Sequence, residues 1–478
     1  MSARLRVLLR HLSDVEVVVK DDHRFVLVPK AIPCAGSLPV ELRPVVPESV
    51  GLSAERLKRV DEFVESIVKN GQAPMALVGV IRHGQLAYLS MAGQSHEEQN
   101  LPVSLDTVYR MYSFTKPVVS VALLMLYEEG RFISFDEPIA KYIPCFKDMQ
   151  VYVSGEGPET LRTRPAKSAI TIKHLLTHTS GIGYGHVPDI PAVTKMLWES
   201  VTFGPTYPYN CKEGQPLDIQ EACERLAKCP LLCDPGTEWH YSHSTDVVGR
   251  LVEVLSGQKL GDFLQTRILG PLGMLETSFF VPPSKVHRFA GRYMSVAAAK
   301  PIGLVPPDWS GKKSYLRIDD PETSEHSQPP KDLVSAGSGL VSTIPDWLRW
   351  MKFLMRKGAT ESGEQLLSRK SFAYAALNHL PDGQRLDVLG AKSTQHVNVA
   401  KREGLGWSLL GLTVIEDPAL QDAVCSKGEL AWGSAGGGYL WVDYEEDLAV
   451  LLKSQLEPSA AFPWRRHLHG LVYQALKS

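Results

Sequence analysis

The 478-residue chain lacks most features that assign a function at first sight. Its seven cysteines are an odd, scattered set (34, 145, 211, 223, 229, 233 and 425) with no Cys-x-x-Cys pair. That excludes a disulfide framework and paired structural zinc ligands, and leaves free thiols in a reducing compartment as the expectation. The formal net charge is only -2, so neither nucleic acid nor an anionic membrane is the expected partner. No apolar run is long enough to span a bilayer. Cytosol is the expected location, with the mitochondrion as alternative because Arg4, Arg6 and Arg10 precede the first acid, Asp14. There is no Gly-x-Ser-x-Gly elbow and no Gly-x-x-x-x-Gly-Lys loop, which counts against α/β-hydrolases and P-loop enzymes. His174 and His178 have a zinc-ligand spacing, read as i, i+4 on one helix. No glutamate lies in the metalloprotease position and no third ligand stands out, so no metal and no cofactor is expected. Internal repeats and low-complexity tracts are absent too.

Against that background one stretch stands out, Ser113-Phe-Thr-Lys116. Val118 to Leu126 are mostly apolar helix formers, and Gly130 is placed to end a helix. Pro117 is tolerated only in a first turn, so the helix must begin close to Ser113. The hydroxyl then sits at a helix N-terminus that favours developing negative charge, with Lys116 one turn on along the same face. A serine beside a buried amine is a candidate nucleophile; a helix cap is the alternative. Ser310-Gly-Lys-Lys313 has the same spacing, but in a Pro/Gly-rich stretch with no helix to open.

Two later segments carry further chemistry. Tyr241-Ser-His243 lies in a loop leading into a helix capped near Ser244 or Thr245, and a tyrosine near a lysine can share a proton with it. A tyrosine packed at a turn fits the same spacing. Trp432-Gly-Ser-Ala-Gly-Gly-Gly438 opens the strand Tyr439–Asp443, and so many glycines there fit close backbone approach by a ligand or a glycine-rich bulge. An unblocked strand N–H would serve as one oxyanion donor, with that of Ser113 as the other.

The rest of the chain reads as follows. Residues 1–45 form an N-terminal extension with a hairpin over Val17 to Val28 and a Pro-rich linker from Pro33 to Pro47. A helix capped by Ser53 and a hairpin turned at Gly84 begin the main body. Helices are expected over Thr171–His178, Ile219–Ala227, Asp246–Ser256, Pro345–Arg356 and Trp464–Leu476. Strands are expected over Leu405–Leu412, Gly438–Asp443 and Leu448–Ser454, and residues 299–330 as a long surface loop. The expected domains are a sheet-bearing α/β lobe, 46–135 with 325–478, and an inserted helical lobe, 136–324.

Ser113-x-x-Lys116, Tyr241-Ser-x and Trp432-Gly-Ser-Ala, in that order, resemble the serine β-lactamase and penicillin-binding-protein superfamily. The likeness is greatest to its class C-like esterase and transesterase branch, which includes family VIII carboxylesterases and lovastatin-type acyltransferases. It extends over about residues 50 to 470 and includes Leu175–Gly181, Gly270–Thr277, Gly337–Thr343 with Asp346, and Gly404–Trp407. The resemblance implies an α/β (α+β) fold, an antiparallel sheet flanked by helices and built from both chain ends, with an inserted all-helical domain. It implies Ser113 as acyl-accepting nucleophile, Lys116 and Tyr241 as the base system, and the Ala435 N–H as second oxyanion donor. His243, Trp407 and Trp432 are the candidate substrate-binding residues. Where many relatives have Asn this chain has His243, and Ser434 stands at a usual glycine. Trp432 replaces a cation common in β-lactamases and D-Ala-D-Ala peptidases, and a Trp cannot pair with a substrate carboxylate. The expected substrate is a small neutral acyl ester or thioester; an alcohol, amine or thioester co-substrate is left open. The alternatives are a non-catalytic or filament-forming scaffold and a true β-lactamase or D-Ala carboxypeptidase.

Overall fold

The computed structural model describes residues 38–477 except 158, 186–189, 201–217, 308, 310, 312, 323, 328–333, 390–402 and 422, together with two strands, Val15–Val19 and Phe25–Pro29. These two strands pair antiparallel. Ser310, of the second Ser-x-x-Lys spacing, lies outside the described residues.

The main sheet has eight strands, numbered here in chain order: β1 Met75–Arg82, β2 Gln85–His96, β3 Leu101–Pro102, β4 Leu405–Trp407, β5 Thr413–Ile415, β6 Leu430–Ser434, β7 Gly438–Asp443 and β8 Leu448–Lys453. They lie in the order β4-β5-β6-β7-β8-β1-β2-β3, antiparallel throughout. The first and last parts of the chain meet where β8 pairs with β1, Val450 opposite Val80. Every residue of β1, β7 and β8 is buried, which is why these strands read as continuous rather than alternating apolar runs.

Alternate residues still sort to the two faces. Ala76, Val78, Val80, Trp441 and Val450 pack under the helices Ala54–Lys69 and Trp464–Tyr473. In the first of these, Leu57, Val60, Phe63, Val64 and Ile67 recur at helical spacing and are buried, and Ser53 Oγ caps the N-terminus by accepting from Arg56 N at 3.3 Å. Truncating a core aromatic such as Phe63 to alanine costs roughly 3–5 kcal/mol. On the other face, Leu77, Ile81, Trp432, Leu440 and Leu451 join a core that holds the helices Thr115–Glu128 and Ile344–Met355. The Thr115–Glu128 helix is buried on all sides from Thr115 through Leu126, as its unbroken apolar run requires. Gly130, at φ +70°, follows its end.

Several local expectations are corrected. Residues 299–330 are not one loop: Tyr315–Asp319 is a strand paired with Arg292–Ser295. Leu405–Leu412 is not one strand, because the chain turns at Gly411 between β4 and β5. The helix expected over Thr171–His178 ends at Leu176, and His178 takes a left-handed φ of +56°. His174 and His178 therefore do not share a helical face. Leu38 and Leu42, within the expected 1–45 extension, are buried in the core. Among the described residues no helix is long and apolar enough to cross a membrane.

Candidate active site

Ser113 is partly exposed in a short 3₁₀ turn, Tyr112–Phe114, that runs directly into the Thr115–Glu128 helix. Pro117 falls in the first turn of that helix, where its missing N–H leaves no bond unmade. Three elements pin the turn. Met111 N donates to Leu340 O at 2.8 Å, and Leu340 N donates to Thr115 Oγ1 at 3.1 Å. From the other side Ser434 Oγ, at the end of β6, donates to Met111 O at 2.8 Å. Below, Tyr112 donates its hydroxyl to the buried Glu457 carboxylate, which Arg292 clamps at 2.7 and 2.9 Å. Tyr112 itself has a φ of +48°, unusual for a bulky residue and sustained only by such over-determined surroundings.

Lys116 is fully buried, and its Nζ lies 2.8 Å from Gly337 O, 3.3 Å from Tyr184 Oη and 3.4 Å from Ser113 Oγ. Burial pushes its pKa down to about 7, with the Asp246 charge opposing that shift. Tyr241, 4% exposed, reaches Ser113 from the far side with Oη 2.8 Å from Oγ, and Lys116 Nζ sits 4.5 Å from its ring centre. The structure thus brings Ser113, Lys116 and Tyr241 together across 128 residues of sequence.

The surrounding shell was only partly foreseeable. Asp246 accepts from Gly337 N at 2.9 Å, from Ser335 Oγ at 3.0 Å and from His243 Nδ1 at 3.0 Å. It thereby holds the 335–337 turn whose carbonyl meets Lys116. His243 is the residue before the Ser244–Ser256 helix, one earlier than the expected cap. Its ring packs edge-on against Tyr184 at 4.4 Å. His243, expected to bind substrate, is partly exposed and contacts both Asp246 and Tyr184. His178 lies 4.8 Å from the Tyr241 ring and is hydrogen-bonded to Ser242 Oγ at 3.0 Å; burial drives its pKa well below the usual value.

Trp432 faces the same side as Tyr241, 5.3 Å between ring centres, and its indole N–H has no hydrogen-bond partner among the described residues. Trp407 is corrected as a substrate contact. It is fully buried, its Nε1 donates to Leu176 O at 2.9 Å, and it stands edge-on behind Trp432 at 4.7 Å. Its place is to fix Trp432. Ala435 is partly exposed in the turn from β6 to β7, between Ser434, bonded to Met111 O, and Gly436. A Cβ on Gly436 would come within 2.9 Å of the Tyr112 ring, so glycine is required for the turn to lie this close to the serine. The serine at the usual glycine position, Ser434, supplies the tie between the two.

Tyr184, Asp246 and the Gly337 carbonyl were not singled out by sequence. Tyr184 is a lone aromatic in a loop and carries no spacing signal. A cavity of about 460 Å³ opens between Leu264, Phe279 and Val341, but none of Ser113, Lys116 or Tyr241 lines it, so volume alone does not locate the chemistry. Among the described residues one trio of metal-type donors, Cys233, Glu238 and His240, lies close in sequence to Tyr241.

The chain belongs to the beta-lactamase family, whose profile matches residues 60–472. Its sequence is 29% identical over 412 residues to the esterase EstB of Burkholderia gladioli, covering 85% of this chain and 92% of that one. It is 30% identical over 241 residues to ML-236A carboxylate methylbutanoyltransferase mlcH of Penicillium citrinum, 49% of this chain and 54% of that one. The fold matches simvastatin synthase (LovD) from Aspergillus terreus with a TM-score of 0.69 at 22% identity, covering 88% of this chain and 98% of that one. The family and fold expected from the three motifs, in the esterase and transesterase branch, are therefore found.

Proposed function

We propose that the protein is a serine hydrolase or acyltransferase that takes neutral esters or thioesters through an acyl-enzyme on Ser113. The observation that carries this reading is the convergence on one Oγ of a tyrosine hydroxyl at 2.8 Å and a buried amine at 3.4 Å. The esterase and acyltransferase relatives support the reaction class.

Hydrogen-bond directions give a consistent assignment. Neutral Lys116 has two N–H donors, which suit Gly337 O and Tyr184 Oη, and one lone pair, which suits the Ser113 proton. Tyr241 then donates to Ser113 Oγ. Ser113 Oγ attacks the acyl carbon as its proton passes to Lys116, and the Ser113 and Ala435 N–H groups receive the oxyanion. Collapse expels the alkoxide, or the thiolate of a thioester, which takes the Tyr241 proton. The Lys116 ammonium beneath the ring stabilises the phenolate left behind. Water or an acceptor alcohol or amine next gives its proton to Tyr241 and attacks the acyl group. Ser113 leaves with the proton held by Lys116, and the cycle closes with no net proton gained or lost.

Trp432, where a cation is common in β-lactamases, supports neutral substrates. An apolar wall binds acyl groups by burial, at roughly 25 cal/mol per Å², and gives a carboxylate no partner for the water it sheds. Higher kcat/KM for p-nitrophenyl esters than for nitrocefin or D-Ala-D-Ala peptides is expected; the reverse order would make the protein a lactamase or peptidase. The cytosol is our proposed location.

A further inference from the structure

The loop that delivers Tyr241 carries a second constellation, which acyl transfer at Ser113 does not use. The Cys233 thiol, a Glu238 carboxylate oxygen and a His240 ring nitrogen all lie within 4.8 Å of one another, with His240 Nε2 and Glu238 Oε2 at 3.0 Å. Cys233 is 6% exposed and His240 2%, while the Glu238 side chain keeps 31% and opens the group to solvent.

The scaffold under these donors is tied down at each end. Leu232 N donates to Gly181 O at 2.7 Å, Gly236 N to Thr179 O at 2.7 Å, and His240 N to His178 O at 2.9 Å. Arg164 grips Asp234 through both oxygens at 2.9 and 2.7 Å, and Thr237 bonds back to Asp234 O. Gly236 adopts φ +89°, and a Cβ there would come 3.0 Å from His174 Nε2. The donors converge on a rigid loop, which is how a binding site is pre-organised.

We propose that Cys233, Glu238 and His240 bind one zinc-class divalent cation on this loop. Thiolate, imidazole and carboxylate together select zinc or cobalt rather than magnesium or calcium, which take oxygen ligands. A tetrahedral shell with bonds of about 2.0–2.3 Å sets its donors roughly 3.3–3.7 Å apart, and the three donors already lie within 4.8 Å of one another. Thiolate and carboxylate neutralise the dication, which suits a buried position; the thiol proton leaves to solvent as the metal enters. Three protein ligands leave the fourth position to water, reached past Glu238. Because Tyr241 follows His240 directly, the cation would brace the residue that meets Ser113.

The test uses the full chain, stripped with a chelator and titrated with Zn²⁺ and, separately, with Co²⁺. One equivalent should bind, the cobalt form should show a thiolate-to-metal charge-transfer band, and zinc should raise Tm. Cys233→Ser should abolish the band. His240→Ala should weaken zinc by more than the roughly 10–100-fold that loss of an outer-shell partner costs. Glu238→Gln, on a part-exposed side chain, guards against misfolding: it should weaken zinc while leaving metal-free ester turnover unchanged. No stoichiometric binding, a band that survives Cys233→Ser, or unchanged affinity in Glu238→Gln and His240→Ala would each overturn the proposal. None of these outcomes bears on Ser113, so the two readings fail separately.

Discussion

Two lysines in this protein are alike in burial and in having a backbone carbonyl partner, and differ in what else their amines meet. Lys116 and Lys453 are both fully buried, and burial holds the pKa of each at about 7. Lys453, at the end of β8, donates to Ser454 O at 2.8 Å and sits 5.6 Å from the Tyr109 ring centre. Among the described residues no hydroxyl or thiol is hydrogen-bonded to its amine. Lys116 has the same kind of carbonyl partner in Gly337, but its third neighbour is the partly exposed Ser113 Oγ, with Tyr241 beyond. A depressed pKa makes an amine able to accept a proton near neutrality; only geometry gives it a proton worth accepting.

The largest effect that would break this contrast is at the serine. Ser113→Ala should lower ester kcat by several orders of magnitude, about 10³-fold or more, with an unchanged circular dichroism spectrum. Turnover at the wild-type rate would remove the serine from the account. Next comes the pair of lysines. Lys116→Met should lose activity nearly as severely, whereas Lys453→Met should keep kcat/KM within a few-fold. Equal losses in both would show that burial, not position, is what matters.

Stability should sort the two differently. A lysine whose pKa is lower in the fold than in the unfolded chain destabilises the fold. That penalty is complete below pH 7 and disappears as pH rises toward the unfolded value near 10.5. Lys453→Met should therefore be as stable as wild type or more so at pH 7, by up to ~4 kcal/mol. Urea unfolding from pH 7 to 10 should show a shallower rise of stability with pH in the variant, since one of the two buried amines is gone. An identical slope would mean that Lys453 is not held near pH 7.

Smaller effects sharpen the picture at the site itself. The acid limb of kcat/KM should fall near pH 7, activity rising as Lys116 loses its proton, and Lys453→Met should leave that limb in place. In a cycle of Lys116→Ala and Tyr241→Phe, the double variant should lose little beyond the worse single one, because groups that pass one proton act as a unit. Strictly additive losses would separate them. The smallest change is expected for Trp432→Lys, which should narrow the preference for neutral esters over anionic substrates by improving the latter. An unchanged ratio would remove Trp432 from substrate choice.

The contrast also marks what sequence could and could not convey. Lys116 was legible because Pro117 fixes where its helix starts and one turn relates it to Ser113. The fold was legible because β1, β7 and β8 are apolar without interruption and the capped helix after Ser53 has a clean stripe. Lys453 was invisible: a lysine closing an apolar strand looks like any exposed strand end until the sheet covers it. Tyr184 and the Gly337 carbonyl were invisible as Lys116 partners because three-dimensional proximity, not spacing, places them there. Trp407 was read as a substrate contact because motif position shows neighbourhood but not which way a ring faces. It is fully buried and points its N–H into Leu176 O. His178 escaped its helix because a left-handed residue ends it, and no glycine advertises that turn.

The central claim is that Ser113, and no other nucleophile, carries the acyl group. A fluorophosphonate probe followed by intact-mass analysis and peptide mapping tests it directly. One adduct per chain is expected, on the peptide containing Ser113, slowed strongly by Lys116→Met, unaffected by Lys453→Met and absent in Ser113→Ala. An adduct elsewhere, or labelling that persists in Ser113→Ala, would contradict it.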